Sequence, residues 1–303
     1  QKFHQTGAEA NQRLLMAANR IGKSFSGAAE MSYHLTGLYP DWWEGRRYDK
    51  PITAWAGGVS NETTRDIVQY ELLGSPDDPD AFGSGAIPKS KIIKTERKPG
   101  VPNAKSVALI QHVTGGNSSL HFKAYEMGVD KWQGRSVDCI WLDEEPSREL
   151  YSQAVTRTLD RKGMVYMTFT PESGMTETVA SFMNNLQPGQ SLTNATWDDA
   201  SEAVTSMKGN KGHLNEAVMT QILSSYSPHE REMRRYGRPS IGSGLVFPVQ
   251  EDKIMIDPIQ IEDHWAKIAG IDFGWDHPTA VVWAAWDKDE HETYIYDCVQ
   301  QSK

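Results

Sequence analysis

A largely apolar run near the N-terminus leads directly into a short loop that ends in Gly-Lys-Ser. The run covers residues 13–18, and the loop closes on Gly22, Lys23 and Ser24, after which a helix-like pattern begins. A strand, a tight loop and a helix N-terminus in this order gather backbone N–H groups and a lysine around one point, which is the geometry of a phosphate-binding loop. Such loops join a buried strand to a helix on the face of a sheet, so this feature predicts an α/β fold.

The loop residues have distinct expected roles toward a nucleotide. Lys23 is expected to reach the β- and γ-phosphate oxygens of ATP, and the Ser24 hydroxyl to bind Mg²⁺. The remaining residues expected to surround the phosphates are Ala17, Ala18, Asn19, Arg20, Ile21 and Gly22. Ala17 stands where this Walker A pattern usually has its first glycine, so the turn must accommodate a Cβ.

A second strand-like run, residues 137–142, ends in the adjacent carboxylates Asp143 and Glu144. Ligands of α/β sheets bind at the carboxyl ends of the strands. We therefore predict a Walker B site in which Asp143 holds Mg²⁺ and Glu144 orients or deprotonates the attacking water. The alternative is an acidic helix cap, with Pro146 in the first helical turn. The presence of both motifs in the expected order favours ATP hydrolysis.

Apolar runs alternate with helix-period segments through the first two thirds of the chain, which predicts a mostly parallel sheet with helices on both faces. The predicted strands are 13–18, 52–56, 106–113, 120–125, 137–142 and 164–169, and the predicted helices are 24–35, 62–72 and 147–159. The two strands flanking residues 114–117 resemble a hairpin.

The composition of the chain changes near Leu192. We predict an ATPase core at 1–191, a small helical lid at 192–242 with helices at 213–226 and 228–236, and a linker at 243–265. Three further strands at 266–273, 280–286 and 293–299 predict the first part of a second domain, 266–303. The rest of that domain is expected to follow Lys303.

The net charge of −9 argues against a surface coated with basic residues, the usual sign of extensive nucleic-acid binding. The one basic run, residues 89–98, is either a solvated surface or a local contact to DNA phosphates. No apolar stretch approaches the roughly 20 residues of a membrane-spanning helix, so we expect no membrane partner. Cys139 and Cys298 lie in strand-like runs and are expected to be buried hydrophobes rather than a disulfide or metal ligands.

Five segments in sequence resemble the large subunit of tailed-bacteriophage terminases. They are ANRIGKS at 18–24, WLDEEP at 141–146, TFTP at 168–171, RRYGRP at 234–239, and GIDFG at 270–274 with His277 and Pro278. The resemblance implies a P-loop ATPase of the RecA/ASCE type that moves double-stranded viral DNA into a procapsid. It also implies an RNase H-like endonuclease, dependent on Mg²⁺ or Mn²⁺, that cuts the concatemer. The implied partners are DNA, a portal protein, a small terminase subunit and further copies in a ring, in the host cytoplasm.

The resemblance assigns further residues to functions. Thr168 and Thr170 fall on the motif that senses the γ-phosphate and couples hydrolysis to movement, and the lid is expected to move with the nucleotide state. Asp272, at the end of a predicted strand, stands at the position of the first nuclease metal ligand; a turn-forming aspartate is the alternative. Since two-metal cleavage needs several carboxylates, we expect this chain not to cleave DNA efficiently.

Three assignments stay open at this point. Many relatives carry a loop arginine four positions before the lysine, where this chain has Asn19, so Arg20 is the candidate catalytic arginine. A glutamine that reads adenine is expected upstream, and Gln5 and Gln12 both qualify, with Gln5 slightly favoured. A trans-acting arginine finger is Arg135 or Arg157, each with a surface salt bridge as the alternative.

Two other functions share part of this pattern. A helicase or repair ATPase of non-viral origin would carry both phosphate-site motifs, but helicases usually continue into a second RecA-like domain rather than a strand ending in Asp272. A catalytically silent assembly subunit would not need Lys23, Ser24, Asp143 and Glu144 all intact. Measuring ATP hydrolysis with and without DNA distinguishes the three functions.

Overall fold

The computed structural model describes residues 1–184, 186–204, 211–239, 254–273 and 279–301. It divides into two compact units, Gln1–Pro248 and Val249–Lys303. Part of the predicted linker, residues 243–253, lies outside the described residues, as do Gly274, His277 and Pro278 of the last motif.

The first unit is built on one large sheet. Its strands are β1 (Gln12–Ala17), β2 (Thr53–Gly58), β3 (Ile92–Arg97), β4 (Lys105–Gln111), β5 (Asn117–Ala124), β6 (Cys139–Asp143), β7 (Met164–Phe169) and β8 (Gln190–Ala195). They lie in the order β3-β4-β5-β2-β6-β7-β1-β8, parallel from β5 to β8, while β4 pairs antiparallel with both β3 and β5. The predicted α/β class, the parallel sheet and the β4–β5 hairpin are confirmed.

Two strands at the edges of the sheet were not predicted. β3 coincides with the basic run, and β8 pairs with β1 from Gln190 to Ala195. The predicted boundary between core and lid at 191/192 therefore cuts through a strand, and residues 192–195 belong to the sheet. An edge strand is paired on one side only, and these two carry polar, half-exposed side chains. They lack the apolar run that marks a buried strand.

Helices cover both faces of the sheet, as predicted. The α-helices described in the first unit are α1 (Lys2–Gln5), α2 (Lys23–Thr36), α3 (Asn61–Thr63), α4 (Tyr70–Leu73), α5 (Arg148–Thr158), α6 (Glu177–Met183), α7 (Glu216–Ser224) and α8 (Pro228–Tyr236), with a π-helical segment, Thr64–Gln69, joining α3 to α4. On one face α1, α2 and α4 pack through Phe3, Met31 and Leu72. On the other, α5 and α6 pack through Leu150 and Phe182.

The contact between α2 and β6 depends on a glycine. A Cβ on Gly27 would come within 2.5 Å of the Trp141 indole, which is fully buried. The Tyr166 hydroxyl donates to the Gly27 carbonyl oxygen at 2.9 Å. Because only hydrogen fits at this position, Gly27 sets the distance between the helix that begins at Lys23 and the strand that ends at Asp143.

The two helices predicted for the lid are α7 and α8. α7 begins at Glu216, later than predicted, because the Asn215 side chain accepts from the backbone N–H groups of the first turn. α8 ends at Tyr236 and is followed by the capping residue Gly237, which has a φ of +60°. Buried Trp197 and Met219 pack with Ala18 at the end of β1, so this segment has a small apolar core next to the predicted phosphate loop.

The second unit contains the three predicted strands as an antiparallel sheet in the order β11-β10-β9: β9 (Ala266–Asp272), β10 (Thr279–Asp287) and β11 (Glu292–Gln301). Cys139 is buried, as predicted, but Cys298 is exposed. The prediction for Cys298 is wrong because its strand, β11, has exposed side chains almost throughout its described length. Within the described ranges, no helix has the length and apolar character needed to cross a bilayer.

Candidate nucleotide-binding site

The loop between β1 and α2 has the backbone of a phosphate cradle. Gly22 lies directly before the first residue of α2 with a φ of +86°, a conformation that glycine adopts without steric cost. Ala17 is the last residue of β1 and is fully buried, as is Ala18. The strand thus continues to the position of the usual first glycine, and the loop turns after it.

A hydroxyl and a carboxylate meet where β6 ends beside the start of α2. Ser24 Oγ lies 3.0 Å and 3.1 Å from the two carboxylate oxygens of Asp143. Thr168 Oγ1 donates to Asp143 Oδ1 at 2.7 Å and accepts from Trp141 Nε1 at 2.7 Å. Burial raises the pKa of Asp143 to about 6, although these hydroxyls and Lys23 favour the carboxylate. Oxygen ligands around a buried carboxylate fit a Mg²⁺ ion, which binds few protein oxygens directly.

Glu144 follows in a backbone conformation that is uncommon for its residue type. Its φ is +66°, which costs on the order of 1–3 kcal/mol for a residue with a Cβ. The conformation is held by a 3.0 Å bond from its N–H to the Thr168 carbonyl and by Tyr125, whose hydroxyl donates to the Asp143 and Glu144 carbonyls. This turn brings Glu144 Oε1 to 3.6 Å from Lys23 Nζ. Burial raises the pKa of Glu144 to about 7, so the side chain is suited to accept a proton.

β7 lies between β1 and β6 and supplies the threonines between the two motifs. Thr168 contacts Asp143, and Thr170 accepts from Lys23 Nζ at 3.1 Å. Thr170 Oγ1 also lies 2.7 Å from the Ala17 carbonyl oxygen and 2.6 Å from Asn19 Oδ1. A strand whose end touches the lysine of one motif and the carboxylate of the other is well placed to sense the phosphates.

Side chains of the lid segment contact backbone carbonyl groups of the loop. Sequence reasoning did not predict these contacts. Trp197 Nε1 donates to the Asn19 carbonyl at 2.8 Å, and His213 Nε2 lies 2.8 Å from the Arg20 carbonyl oxygen. Gly237 packs so closely on the end of β1 that a Cβ would lie 2.5 Å from backbone atoms of residues 17 and 18. The position of Gly237 in the RRYGRP segment was the available signal, while Trp197 had none beyond its residue type.

The two candidate adenine-reading glutamines are hydrogen-bonded to residues outside the loop. Gln5 Nε2 donates to Glu44 at 2.6 Å, and Gln12 Oε1 accepts from the Tyr151 hydroxyl at 2.7 Å. A cavity of about 310 Å³ beside the loop has neither in its lining, which includes Gln1, Lys2, Phe3, Ile21, Gly22, Lys23, Thr193, Asn194 and Asp199. The Arg20 side chain is exposed and has no hydrogen-bond partner among the described residues.

Both candidate arginine fingers flank the beginning of β6. Arg135 Nη2 lies 2.6 Å from His121 Nε2, and Arg157 Nη1 donates to the Gly134 carbonyl at 2.6 Å. β1 and β6 are parallel and carry the nucleotide motifs at their carboxyl ends. The two arginines therefore lie toward the amino end of β6, away from the end that carries Asp143.

Asp272 is the last residue of β9, is exposed, and is paired with Ala280. In the part of the chain that the structure describes, no group of three or more His, Cys, Asp or Glu side chains is arranged to hold a metal ion. The structure therefore places Asp272 at a strand end without a described set of further metal ligands.

Comparison with protein families identifies the family of the chain. A family model described as the N-terminal part of the terminase large subunit, T4likevirus-type, matches residues 14–254. The chain belongs to the terminase large-subunit family. The terminase large subunit of Salmonella phage P22 is 36% identical over 97% of this chain and 60% of its own length. That of Enterobacteria phage LP7 is 29% identical over 80% of this chain and 49% of its own length. The chain thus spans about half to three fifths of these terminase subunits.

Solved terminase structures share the fold. The large terminase of a thermophilic bacteriophage matches with a TM-score of 0.55 and 11% identity, over 98% of this chain and 64% of that one. The same protein in complex with ADP matches with a TM-score of 0.51 and 14% identity, over 95% and 63%. The complex with ATP-γ-S matches with a TM-score of 0.51 and 12% identity, over 96% of this chain and 64% of that one. At these identities the likeness supports the predicted terminase ATPase fold and nothing finer.

The contact of Gly237 with the loop predicts a specific effect on nucleotide binding. Gly237→Ala should lose stability, by about 1–2 kcal/mol for the left-handed conformation alone, and should also weaken Mg·ATP binding because the Cβ displaces α8 or the end of β1. Gly100→Ala is the matched control, since Gly100 has a φ of +79° and nothing within 4 Å of its Cβ position. Thermal melts and nucleotide titrations of both variants separate the effects. Equal nucleotide affinity in the two variants would show that α8 does not shape the loop.

Proposed function

We propose that this chain binds Mg·ATP at the β1–α2 loop and hydrolyses it to drive double-stranded viral DNA into a procapsid. The observation that carries the proposal is the convergence of the two motifs: Ser24 Oγ lies 3.0 Å from Asp143, and Lys23 Nζ lies 3.6 Å from Glu144. The large terminase of the thermophilic phage has been solved with ADP and with ATP-γ-S, which supports the same ligand class here.

Each residue of the site has a separate task in this mechanism. Ser24 and Asp143 would hold Mg²⁺, which neutralises charge on the phosphates when bound. Lys23 neutralises the terminal phosphate, and Glu144 orients the attacking water and accepts its proton. Thr168 and Thr170 keep the carboxylate of Asp143 and the ammonium of Lys23 in place through their hydroxyl contacts.

The role of Glu144 can be separated from nucleotide binding. Glu144→Gln should keep Mg·ATP affinity, since the loop and the metal ligands remain, while the hydrolysis rate falls by about two orders of magnitude or more. The matched control is Glu145→Gln, because the neighbouring carboxylate contacts Thr176 and not Lys23. Isothermal titration and a phosphate-release assay measure the two quantities. Normal turnover in Glu144→Gln would assign the base to another residue.

The terminase family has partners that we propose for this chain as well. They are DNA, a portal protein, a small terminase subunit and further copies in a ring on the procapsid in the host cytoplasm. Family membership favours this motor over a non-viral helicase or repair ATPase. The meeting of Lys23, Asp143 and Glu144 favours hydrolysis over a silent assembly subunit.

The basic residues are arranged differently from what their spacing in the sequence suggested. Lys94 pairs with Glu96 at 3.1 Å, which leaves Arg97 as the charge on β3 without a described ion pair. Lys98, by contrast, lies with Lys131 and Arg135 around Lys123, whose pKa falls to about 8 through burial and through these three positive charges. Lys123 Nζ also lies 4.0 Å from the centre of the Trp55 ring. We infer that this cluster, rather than the whole basic run, is the place where the chain contacts DNA phosphates.

The cluster around Lys123 and the basic run on β3 predict different salt dependence of DNA binding. Lys98→Ala with Lys131→Ala should lower DNA affinity evenly across sequences and reduce the slope of log K against log salt by about two, since each phosphate contact contributes roughly 0.9. Lys89→Ala with Lys94→Ala removes the same amount of charge from β3 and from the turn that precedes it. This double variant should leave the slope nearly unchanged. Fluorescence anisotropy at several salt concentrations measures both slopes. The reverse ranking would place the contact on β3.

We also propose that residues 266–303 belong to the nuclease part of the family fold, with Asp272 as a metal ligand. Two-metal cleavage needs two or three carboxylates that hold ions roughly 4 Å apart, and the described residues supply no such set. The 303-residue chain should therefore leave a supercoiled plasmid intact in Mg²⁺ or Mn²⁺. Nicking that is lost in Asp272→Ala but kept in Asp287→Ala would contradict this expectation, because Asp287 caps a turn.

A further inference from the structure

A continuous series of polar contacts runs from the phosphate-binding lysine to the lid. Lys23 Nζ donates to Thr170 Oγ1 at 3.1 Å, and Thr170 Oγ1 lies 2.6 Å from Asn19 Oδ1. The other end of the same amide, Asn19 Nδ2, donates to Glu172 Oε1 at 3.2 Å. Arg234 Nη1, from α8, donates to that same oxygen at 2.7 Å. These five residues, which we call the relay, connect α2, the end of β7, the loop and α8.

We propose that Glu172 and Arg234 are positioning residues for ATP hydrolysis, which hold Asn19 and Thr170 in place and exchange partners when a γ-phosphate binds at Lys23. The inference rests on the ATPase function proposed above. One carboxylate oxygen of Glu172 accepts from both the loop and α8. Movement of either donor therefore changes the hydrogen bonding of the other.

Charge explains why the relay distinguishes ATP from ADP. A γ-phosphate beside Lys23 adds negative charge near the Glu172 carboxylate, which it repels, and near the Arg234 guanidinium, which it attracts. Asn19 and Arg234 then gain phosphate oxygens as acceptors in place of Glu172. With ADP this charge is absent and the contacts to Glu172 are favoured again.

α8 cannot shift without affecting Asn19. The Trp197 backbone N–H donates to the Arg235 carbonyl on α8 at 2.9 Å, while its indole donates to the Asn19 carbonyl. Gly237, directly after α8, packs on the end of β1. Asn194 Nδ2 also donates to the Met16 carbonyl on β1 and to the Tyr236 carbonyl on α8, each at 3.1 Å. The relay is thus one of several described links between α8 and the segment that includes the loop, and it contains ionised side chains.

A purely structural surface pair would behave differently. The side chain of Glu172 is 54% exposed and that of Arg234 23%, and such a pair contributes at most about 1 kcal/mol to folding. Loss of the pair should therefore affect the melting temperature little. A positioning role instead predicts a change in the preference for ATP over ADP and in kcat.

The neighbouring residue on α8 provides a matched control. Arg235 forms an ion pair of 2.8 Å with Asp198 and stacks on Tyr236 at 5.3 Å, much as Arg234 pairs with Glu172 and stacks on Tyr226 at 5.3 Å. In the described part of the chain, the partner of Arg235, Asp198, has no recorded bond to the loop, whereas Glu172 also accepts from Asn19. Arg234→Ala and Arg235→Ala therefore remove the same chemical group from the same helix.

The experiment compares Mg·ATP-γ-S affinity, Mg·ADP affinity and kcat in the two variants. Arg234→Ala should reduce the ratio of ATP-γ-S to ADP affinity by about tenfold and kcat by tenfold or more, the size expected for one charge-assisted hydrogen bond. Arg235→Ala should leave both within about twofold. Equal effects in the two variants would overturn the relay.

Further variants keep the test decisive if Arg234→Ala does not fold. Glu172→Gln keeps an oxygen acceptor and should retain more of kcat than Glu172→Ala, while Arg234→Lys keeps the charge with fewer donors and should recover part of the ratio. No difference within these pairs would also overturn the relay. Failure of the proposed function looks different, because the unmodified chain would then neither bind ATP-γ-S nor hydrolyse ATP.

Discussion

The candidate nucleotide-binding site depends on one buried ion pair, which joins the strand before the loop to the helix after it. Arg13 on β1 and Glu30 on α2 are both fully buried, and their side chains are in direct contact. Burial alone would raise the pKa of Glu30, but Arg13, His34 and His4 hold that pKa well below its usual range. Removing a charge from water costs several kcal/mol, and the contact between the two side chains offsets part of that cost. Further bonds add to this offset: Arg13 Nη1 donates to the Phe3 carbonyl at 3.0 Å, and His4 and His34 both contact the Glu30 carboxylate. The pair therefore fixes the strand that enters the loop against the helix that leaves it.

The order of strands in the sheet brings the side chains of the candidate site together beside this ion pair. Because β7 separates β1 from β6, its last residues lie between the lysine of one motif and the carboxylates of the other. Asp143 and Glu144 would repel each other without a cation, and Lys23 at 3.6 Å from Glu144 supplies one positive charge. The left-handed backbone of Glu144 points adjacent carboxylates in different directions, one toward Ser24 and one toward Lys23. Strain in one residue thus separates the carboxylate that we propose as a metal ligand from the one that we propose as the base.

What the sequence could predict depends on burial and on distance along the chain. β1, β6 and β7 are buried on both faces, so their apolar runs predicted strands. The positions of the loop after β1 and of the carboxylates at the end of β6 could then be predicted from these strands. β3 and β8 were missed because edge strands carry polar side chains. Glu172 and Arg234 lie 62 residues apart, and no local pattern records a contact over that separation. The exposure of Cys298 likewise depends on what covers a strand, which residue type does not reveal.

The lid contacts explain how the loop tolerates an unusual side chain. Three polar groups of the lid segment and β8 bind carbonyl oxygens of the loop and strand: Asn194 contacts Met16, Trp197 contacts Asn19, and His213 contacts Arg20. Backbone carbonyls are present whatever side chain occupies a position, so these contacts do not require an arginine at residue 19. Asn19 can then use both ends of its amide, one toward Thr170 and one toward Glu172. An arginine has donors but no acceptor, so it could not make the first of these contacts to a donating hydroxyl. The asparagine therefore allows the loop to connect Thr170 with the ion pair formed by Glu172 and Arg234 of α8.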